Sequence, residues 1–193
     1  MHVIDNIIPL SYQNEIEDVL LSNYFPWYFT PDVTWRQYHT DGINTPANVH
    51  MFRNNKNTVS PFYQLVSPIV HFATTSINFH FSDVIQCRSF LQYPLNVNFL
   101  ANEVDDLHID LPIDHLVVLY YVTDADGETI IVNKVKEDDP EEINCNYKDY
   151  EILNAIQPKK GRVVIFDGKY YHTVKQPTKN IRCSINFDVL GYE

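Results

Sequence analysis

The sequence predicts a strand-rich α+β domain, with helices near its start packed on a sheet or flattened barrel built by the remainder. Two observations carry this. Helical spacing and cap signals fall before Phe79, whereas short β-branched and aromatic segments, separated by Asp, Gly, Asn and Pro, follow it. A third is size: 193 residues at 45% hydrophobic and 13% aromatic composition are enough to bury one real core. The expected organisation is a single domain over 1–193, helical and irregular over 1–80 and strand-rich over 81–193.

The elements follow in order. In "PLSYQNEIEDVLL", Ser11 is placed to cap a helix, Ile16, Val19 and Leu20 recur at helical spacing, and acids come early. This helix ends near "SNYFPWYF". From Thr30 to Asn57 the abundance of Asn, Thr, Pro and Asp predicts irregular structure with short strands. "VSPFYQLVSPIVHFATTSI" sets Ser60 as a cap before a first-turn Pro61 and predicts a second helix, which Pro68 kinks or breaks. The strands are "DVIQCRSFLQY", "HLVVLYYV", "ETIIVN", "GRVVIFD", "YYHTV" and "IRCSINFDVL". The acidic run "KEDDPEEINCNYKDYE" reads as a solvated loop.

Charge and cysteine usage narrow the function classes. A net charge of −11 repels phosphate backbones, and no Lys/Arg stripe with interleaved aromatics offsets it, so nucleic acid is a disfavoured partner. Cys87, Cys145 and Cys183 are odd in number and widely spaced, which suggests buried reduced thiols rather than a disulfide framework or zinc site. Neither a signal peptide nor an apolar run near ~18 residues is present, giving the expectation of a soluble, cytoplasmic protein with no membrane partner.

The chemistry concentrates in two segments. In "LHIDLPIDHLVVLYYV", His108 and Asp110 are two apart, so in extended chain both point to one face at the mouth of a strand. His172 in "YYHTV" is the candidate third ligand. A hairpin centred on Pro177 would set His172 opposite Arg182. The strand after it alternates Arg182, Ser184 and Asn186 on a polar face with Ile181, Cys183, Ile185 and Phe187 on a core face. A guanidinium and a hydroxyl beside a metal-capable histidine suit the holding of a carboxylate. A second His-x-Asp, His39 and Asp41, lies in the irregular region and feeds no strand, and His115 shares the parity of Val117, Leu119 and Tyr121. His2, His50, His71 and His80 carry no site signal.

These residues, in the order His-x-Asp, strand, Gly-containing turn, strand, His, Arg-x-Ser, resemble the iron(II) and 2-oxoglutarate-dependent dioxygenases, in particular the prolyl-hydroxylase-like group. The resemblance covers about residues 88 to 189, through "HID", "LYYVTDADGETIIV" and "PKKGRVVIFDGKYYHTVKQPTKNIRCSINF". It implies a double-stranded β-helix (jelly roll) with the N-terminal helices packed against it. It implies His108, Asp110 and His172 as an Fe(II) triad that leaves room for 2-oxoglutarate and O₂ as cosubstrates. Arg182, helped by Ser184, would anchor the distal carboxylate of 2-oxoglutarate, with Tyr121 and Tyr93 as hydroxyls of the cosubstrate pocket. The implied reaction couples release of succinate and CO₂ to hydroxylation of a peptidyl or small-molecule C–H bond. Two departures stand out: many prolyl hydroxylases carry lysine at the Arg182 position, and the family's Gly-Gly is here Asp126-Gly127. A non-catalytic metal-binding or interaction module of the same barrel, and a cupin-type hydrolase or isomerase, are the alternatives. The cupin reading wants more histidines near the first pair than this chain has.

Overall fold

The computed structural model describes residues 1–31, 33, 46–95, 104–136 and 147–191. Two helices, α1 (Leu10–Leu20) and α2 (Tyr63–Ser76), accompany strands β1 (His2–Ile4), β2 (Tyr28–Thr30), β3 (Ala47–Asn54), β4 (Asn57–Thr58), β5 (Phe81–Gln92), β6 (Leu116–Tyr121), β7 (Thr129–Val135), β8 (Ile152–Ile156), β9 (Val163–Asp167), β10 (Tyr170–Val174) and β11 (Arg182–Gly191). The strands form two antiparallel sheets. The larger runs β1-β9-β6-β11-β5-β3-β2, with β4 attached to β3, and the smaller runs β10-β7-β8.

Side-chain alternation sorts the core into layers. On β6, Val118 and Tyr120 face a cluster that includes Ile16 and Leu20 of α1, Val66, Ile69 and Val70 of α2, and Cys183, Ile185 and Phe187 of β11. The helices therefore cover one face of the large sheet, and each fully buried Leu, Ile or Phe there contributes roughly 1.5–3 kcal/mol. Val117, Leu119 and Tyr121 of β6 point the other way, into a cluster with Ile131 of β7, Ile156 of β8 and Phe166 of β9. That cluster is the filling between the two sheets. The double-stranded β-helix with helices packed against it is thus borne out, as are all six predicted strands.

Several local expectations need correction. Helix α1 starts at Leu10, with Pro9 rather than Ser11 in the cap position, no capping side chain and no acid in its first turn. The carbonyl of Pro9 instead accepts the N–H groups of Tyr12 and Gln13. Ser60 does mark α2: its hydroxyl accepts the Phe62 N–H at 3.2 Å and its carbonyl the Tyr63 N–H at 3.1 Å, although the helix opens three residues later. Pro68 sits inside α2 without ending it. The bond it withholds belongs to Gln64, which is exposed, so water can serve that carbonyl. Within residues 30–57 the eight-residue β3 is longer than the short strands expected, because only His50 and Phe52 carry its helix-facing side while Asn48, Arg53 and Asn54 hide the pattern.

The hairpin between His172 and Arg182 is absent. Strand β10 pairs with β7, His172 lying opposite Ile131, whereas β11 pairs with β5 and β6, Arg182 lying opposite Gln92. The segment 175–181 carries the chain from the small sheet to the large one. Its turn is gathered by Asp126, whose carboxylate accepts the N–H of Thr178 at 3.1 Å and of Lys179 at 3.1 Å and the Thr178 hydroxyl at 2.6 Å. A turn built on a side chain from elsewhere leaves no mark in its own sequence. Cys87 and Cys183 are buried free thiols, and Cys145 lies outside the described residues, as do 137–146 of the acidic run. No described helix is long and apolar enough to cross a membrane.

Candidate functional site

His108 reaches the site without belonging to a named strand. It forms an isolated antiparallel bridge with His172, the two backbones exchanging bonds of 3.1 and 3.0 Å. Residues directly opposed in this way project their side chains to the same face, and the two rings lie 4.5 Å apart between centroids. Asp110 follows on a bend, six residues before β6 begins, so the pair is not the start of that strand as expected. One ligand atom from each of His108, Asp110 and His172 falls within 4.8 Å of the others.

Each histidine is oriented from behind. Nδ1 of His108 is 2.8 Å from the Asp106 carbonyl, and Nδ1 of His172 is 3.4 Å from the Tyr170 carbonyl. A carbonyl only accepts, so each Nδ1 carries a proton, which leaves Nε2 as the ring nitrogen that can face an ion. Burial, with the neighbouring His108, pushes the His172 imidazole down to about 4, against the opposing pull of Asp110. It is neutral at physiological pH, the form that binds a cation. Burial works against the Asp110 carboxylate, yet His172 and the Arg88 guanidinium more than offset it and hold the group well below the ordinary carboxylate range. Arg88 Nη2 donates to Asp110 Oδ1 at 2.8 Å and Asn186 Nδ2 to Oδ2 at 3.1 Å. Two neutral imidazoles and one carboxylate are the donor set that suits Fe(II) with open positions. These three residues fit such an ion.

The cavity lined by these three residues also holds Arg182, only 2% exposed. Its guanidinium donates to the Gly127 carbonyl (3.2 Å), Gln92 Oε1 (2.8 Å), Ser184 Oγ (3.2 Å) and Thr129 Oγ1 (3.1 Å). Every one of these acceptors is neutral, and among the described residues no carboxylate pairs with it. Gly127 permits this approach: a Cβ there would stand 2.4 Å from the Lys175 carbonyl and 3.3 Å from Arg182 Cδ. A buried cation without an anion is costly, and the cavity it lines offers the place for one.

The structure brings His108, Asp110, His172, Arg182 and Ser184 to one cavity. Tyr121 lies beside it, fully buried, its hydroxyl 2.7 Å from Thr129 Oγ1 and its ring 5.5 Å from the Arg182 guanidinium. Burial raises its hydroxyl's pKa, so it remains a neutral donor. Tyr93 is not brought there. It is 44% exposed, its hydroxyl accepts from Asn48, and the preceding Gln92 takes the place beside Arg182. The alternation of Cys87 and Leu91 into the core could have told Gln92 from Tyr93. Thr129 and Arg88 escape sequence reading for a different reason: no motif carries them, and only strand register places them. His115 does not line the cavity. It is buried under Asp110, Nδ1 against the Ile113 carbonyl at 2.7 Å and Nε2 3.8 Å from Asp188. His39 and Asp41 lie outside the described residues. His50 is a core residue bonded to the Pro26 carbonyl and Ser60.

No family model matches the sequence. No curated protein matches it either. Solved structures do match the fold. A prolyl hydroxylase from Trichoplax adhaerens, solved with a hypoxia inducible factor oxygen degradation domain peptide fragment, superposes with a TM-score of 0.64 at 16% identity, over 98% of this chain and 83% of its own. A 2OG-Fe(II) oxygenase family oxidoreductase from Burkholderia pseudomallei gives 0.65 at 13% identity, over 97% and 82%. A prolyl-4-hydroxylase from Pseudomonas putida gives 0.57 at 10% identity, over 98% and 91%. The chain has the fold of the 2-oxoglutarate- and Fe(II)-dependent oxygenases, prolyl hydroxylases among them.

Proposed function

We propose that the protein is an Fe(II)- and 2-oxoglutarate-dependent oxygenase that hydroxylates a peptidyl or small-molecule C–H bond. The observation that carries this reading is Arg182, a buried guanidinium with no acidic partner among the described residues, in the cavity that also holds two histidines and an aspartate. A metal site alone would not need it.

His108, Asp110 and His172 would hold the iron, which supplies the activation of O₂ that oxidises the substrate as 2-oxoglutarate becomes succinate and CO₂. The protein's own groups bind and orient. Arg182 offers a planar fork to the distal carboxylate, and Ser184 and Thr129, already bonded to that fork, can turn their hydroxyls toward it. Tyr121 fixes Thr129 from behind. Phe90, Val117, Leu119 and Phe166 make the walls apolar, which excludes water and strengthens the ionic contacts inside. Residues 1–193 would act as one domain, with 2-oxoglutarate as a small-molecule partner and nucleic acid disfavoured by the acidic balance.

The test is metal-dependent 2-oxoglutarate binding by calorimetry under anaerobic conditions, together with succinate formation in air without added substrate. His108→Ala and Asp110→Ala should each abolish both, while His39→Ala and Asp41→Ala keep them. A wild-type chain that binds metal and 2-oxoglutarate but forms no succinate would support the non-catalytic module. Failure to bind either would overturn the oxygenase reading.

A further inference from the structure

We propose that Arg88 is the positioning residue of the metal centre: it holds Asp110 so that one carboxylate oxygen is fixed and the other is presented beside His172. The inference rests on the metal reading of His108, Asp110 and His172.

Asp110 needs an orienting partner more than either histidine does. His108 and His172 are set by their mutual backbone bridge and by carbonyls behind their rings. Asp110 lies on a bend two residues past that bridge and has no strand pairing of its own. Its orientation comes from side chains of the large sheet. Arg88 on β5 and Asn186 on β11 are direct cross-strand partners, and each donates to one oxygen: Arg88 Nη2 to Oδ1 at 2.8 Å, Asn186 Nδ2 to Oδ2 at 3.1 Å. Oδ2 is also the oxygen 3.5 Å from His172 Nε2. The charged donor thus takes the far oxygen, while the weaker neutral donor shares the near one.

Arg88 is itself held. Its guanidinium lies 5.3 Å from the Phe90 ring centroid, and Nη2 is 3.9 Å from Oδ2 of Asp188, which is wholly buried. Asn186 Nδ2 also donates to Asp188 Oδ1 at 3.3 Å, tying the two donors to one carboxylate. Asp110, His115 and Asp188 come within 4.8 Å of one another too, which raises the alternative of a second metal ion. Arg88 Nη2 lies 2.8 Å from Asp110 Oδ1 and 3.9 Å from Asp188 Oδ2, and a guanidinium so close to both carboxyl groups disfavours a second cation among them. The cluster is therefore assigned to support the first site, with one metal among these described residues.

Supporting groups around metal ligands typically change affinity by roughly 10- to 100-fold when removed. The experiment titrates Co(II) into the metal-free wild type and into Arg88→Gln, Arg88→Lys and Asp188→Asn. It reads affinity and stoichiometry by calorimetry, the Co(II) visible band by absorption, and Tm in parallel. The expected result is one Co(II) per wild-type chain, a loss of affinity of roughly 10- to 100-fold with an altered band in Arg88→Gln, partial recovery in Arg88→Lys, and a smaller loss in Asp188→Asn. Should Arg88→Gln misfold, Arg88→Lys and Asp188→Asn carry the comparison. Variants that change Tm while keeping wild-type affinity and band would make Arg88 merely structural and overturn the inference. So would a second Co(II) that is lost in Asp188→Asn. A wild type that binds no divalent metal would instead overturn the oxygenase reading, and this inference with it.

Discussion

Replacing Arg182 with methionine keeps an unbranched apolar stem in the wall and removes the guanidinium. In the free protein two effects oppose. The Gly127 carbonyl and Gln92 Oε1 lose their donor, at about 1–3 kcal/mol for each acceptor left unsatisfied, whereas the hydroxyls of Ser184 and Thr129 can rotate. Against this, the variant no longer buries a cation without an anion, itself a penalty of several kcal/mol. The fold should survive with a modest change in Tm. Binding carries the main effect, because the carboxylate of 2-oxoglutarate loses a desolvated, bidentate partner, a loss of roughly 2–5 kcal/mol. At about 1.4 kcal/mol per tenfold, Kd for 2-oxoglutarate rises by about 30-fold to several thousand-fold. Metal affinity should stay near wild type, since Arg182 is not among the three candidate ligands. Calorimetry of both ligands on the folded variant is the assay. Unchanged 2-oxoglutarate affinity would refute the assignment of Arg182 as the carboxylate anchor.

Gly168→Ala should destabilise the protein, since a Cβ would stand 2.2–2.5 Å from three His115 ring atoms and the Nδ1 contact to Ile113 keeps the ring from yielding. An overpacking cost of about 1–3 kcal/mol corresponds to a Tm lower by roughly 2–12 °C in thermal melts. The metal-free protein should also lose stability as pH falls from the ordinary histidine range toward about 4. His172 is held neutral down to about 4 in the folded state, while the unfolded chain takes up that proton near 6.5. Denaturant melts across pH 4–7 check this. A flat profile would mean that His172 is not buried as a neutral ring.

Much of the site was legible because its members sit at fixed sequence offsets. His108 and Asp110 share a face by parity, and the alternation of Arg182, Ser184 and Asn186 against Cys183, Ile185 and Phe187 survives in β11. What escaped depends on which strands meet. The link from His172 to Arg182 resembles a hairpin in sequence, and only Asp126, far away in the chain, reveals that it turns toward another sheet. Gln92, not Tyr93, faces Arg182, because a one-residue difference in register decides which of two polar neighbours points inward. Arg88 and Thr129 belong to no motif, and their roles come from cross-strand partners that no local pattern encodes.

The passage of the chain from the small sheet to the large one has a mechanical consequence. His172 rides on the small sheet, while Asp110 is fastened through Arg88 and Asn186 to the large one, so a shared ion would act as a rivet through both. Arg182 belongs to the large sheet, and in the proposed reading it would hold the far carboxylate of the cosubstrate. In that reading the cosubstrate would run from an ion held by both sheets to a guanidinium on the large one, so the spacing of the sheets would bear on which diacid fits. Small outward breathing of the two layers would loosen the grip on the cosubstrate and the rivet together, which couples occupancy of the cavity to stiffness of the whole sandwich.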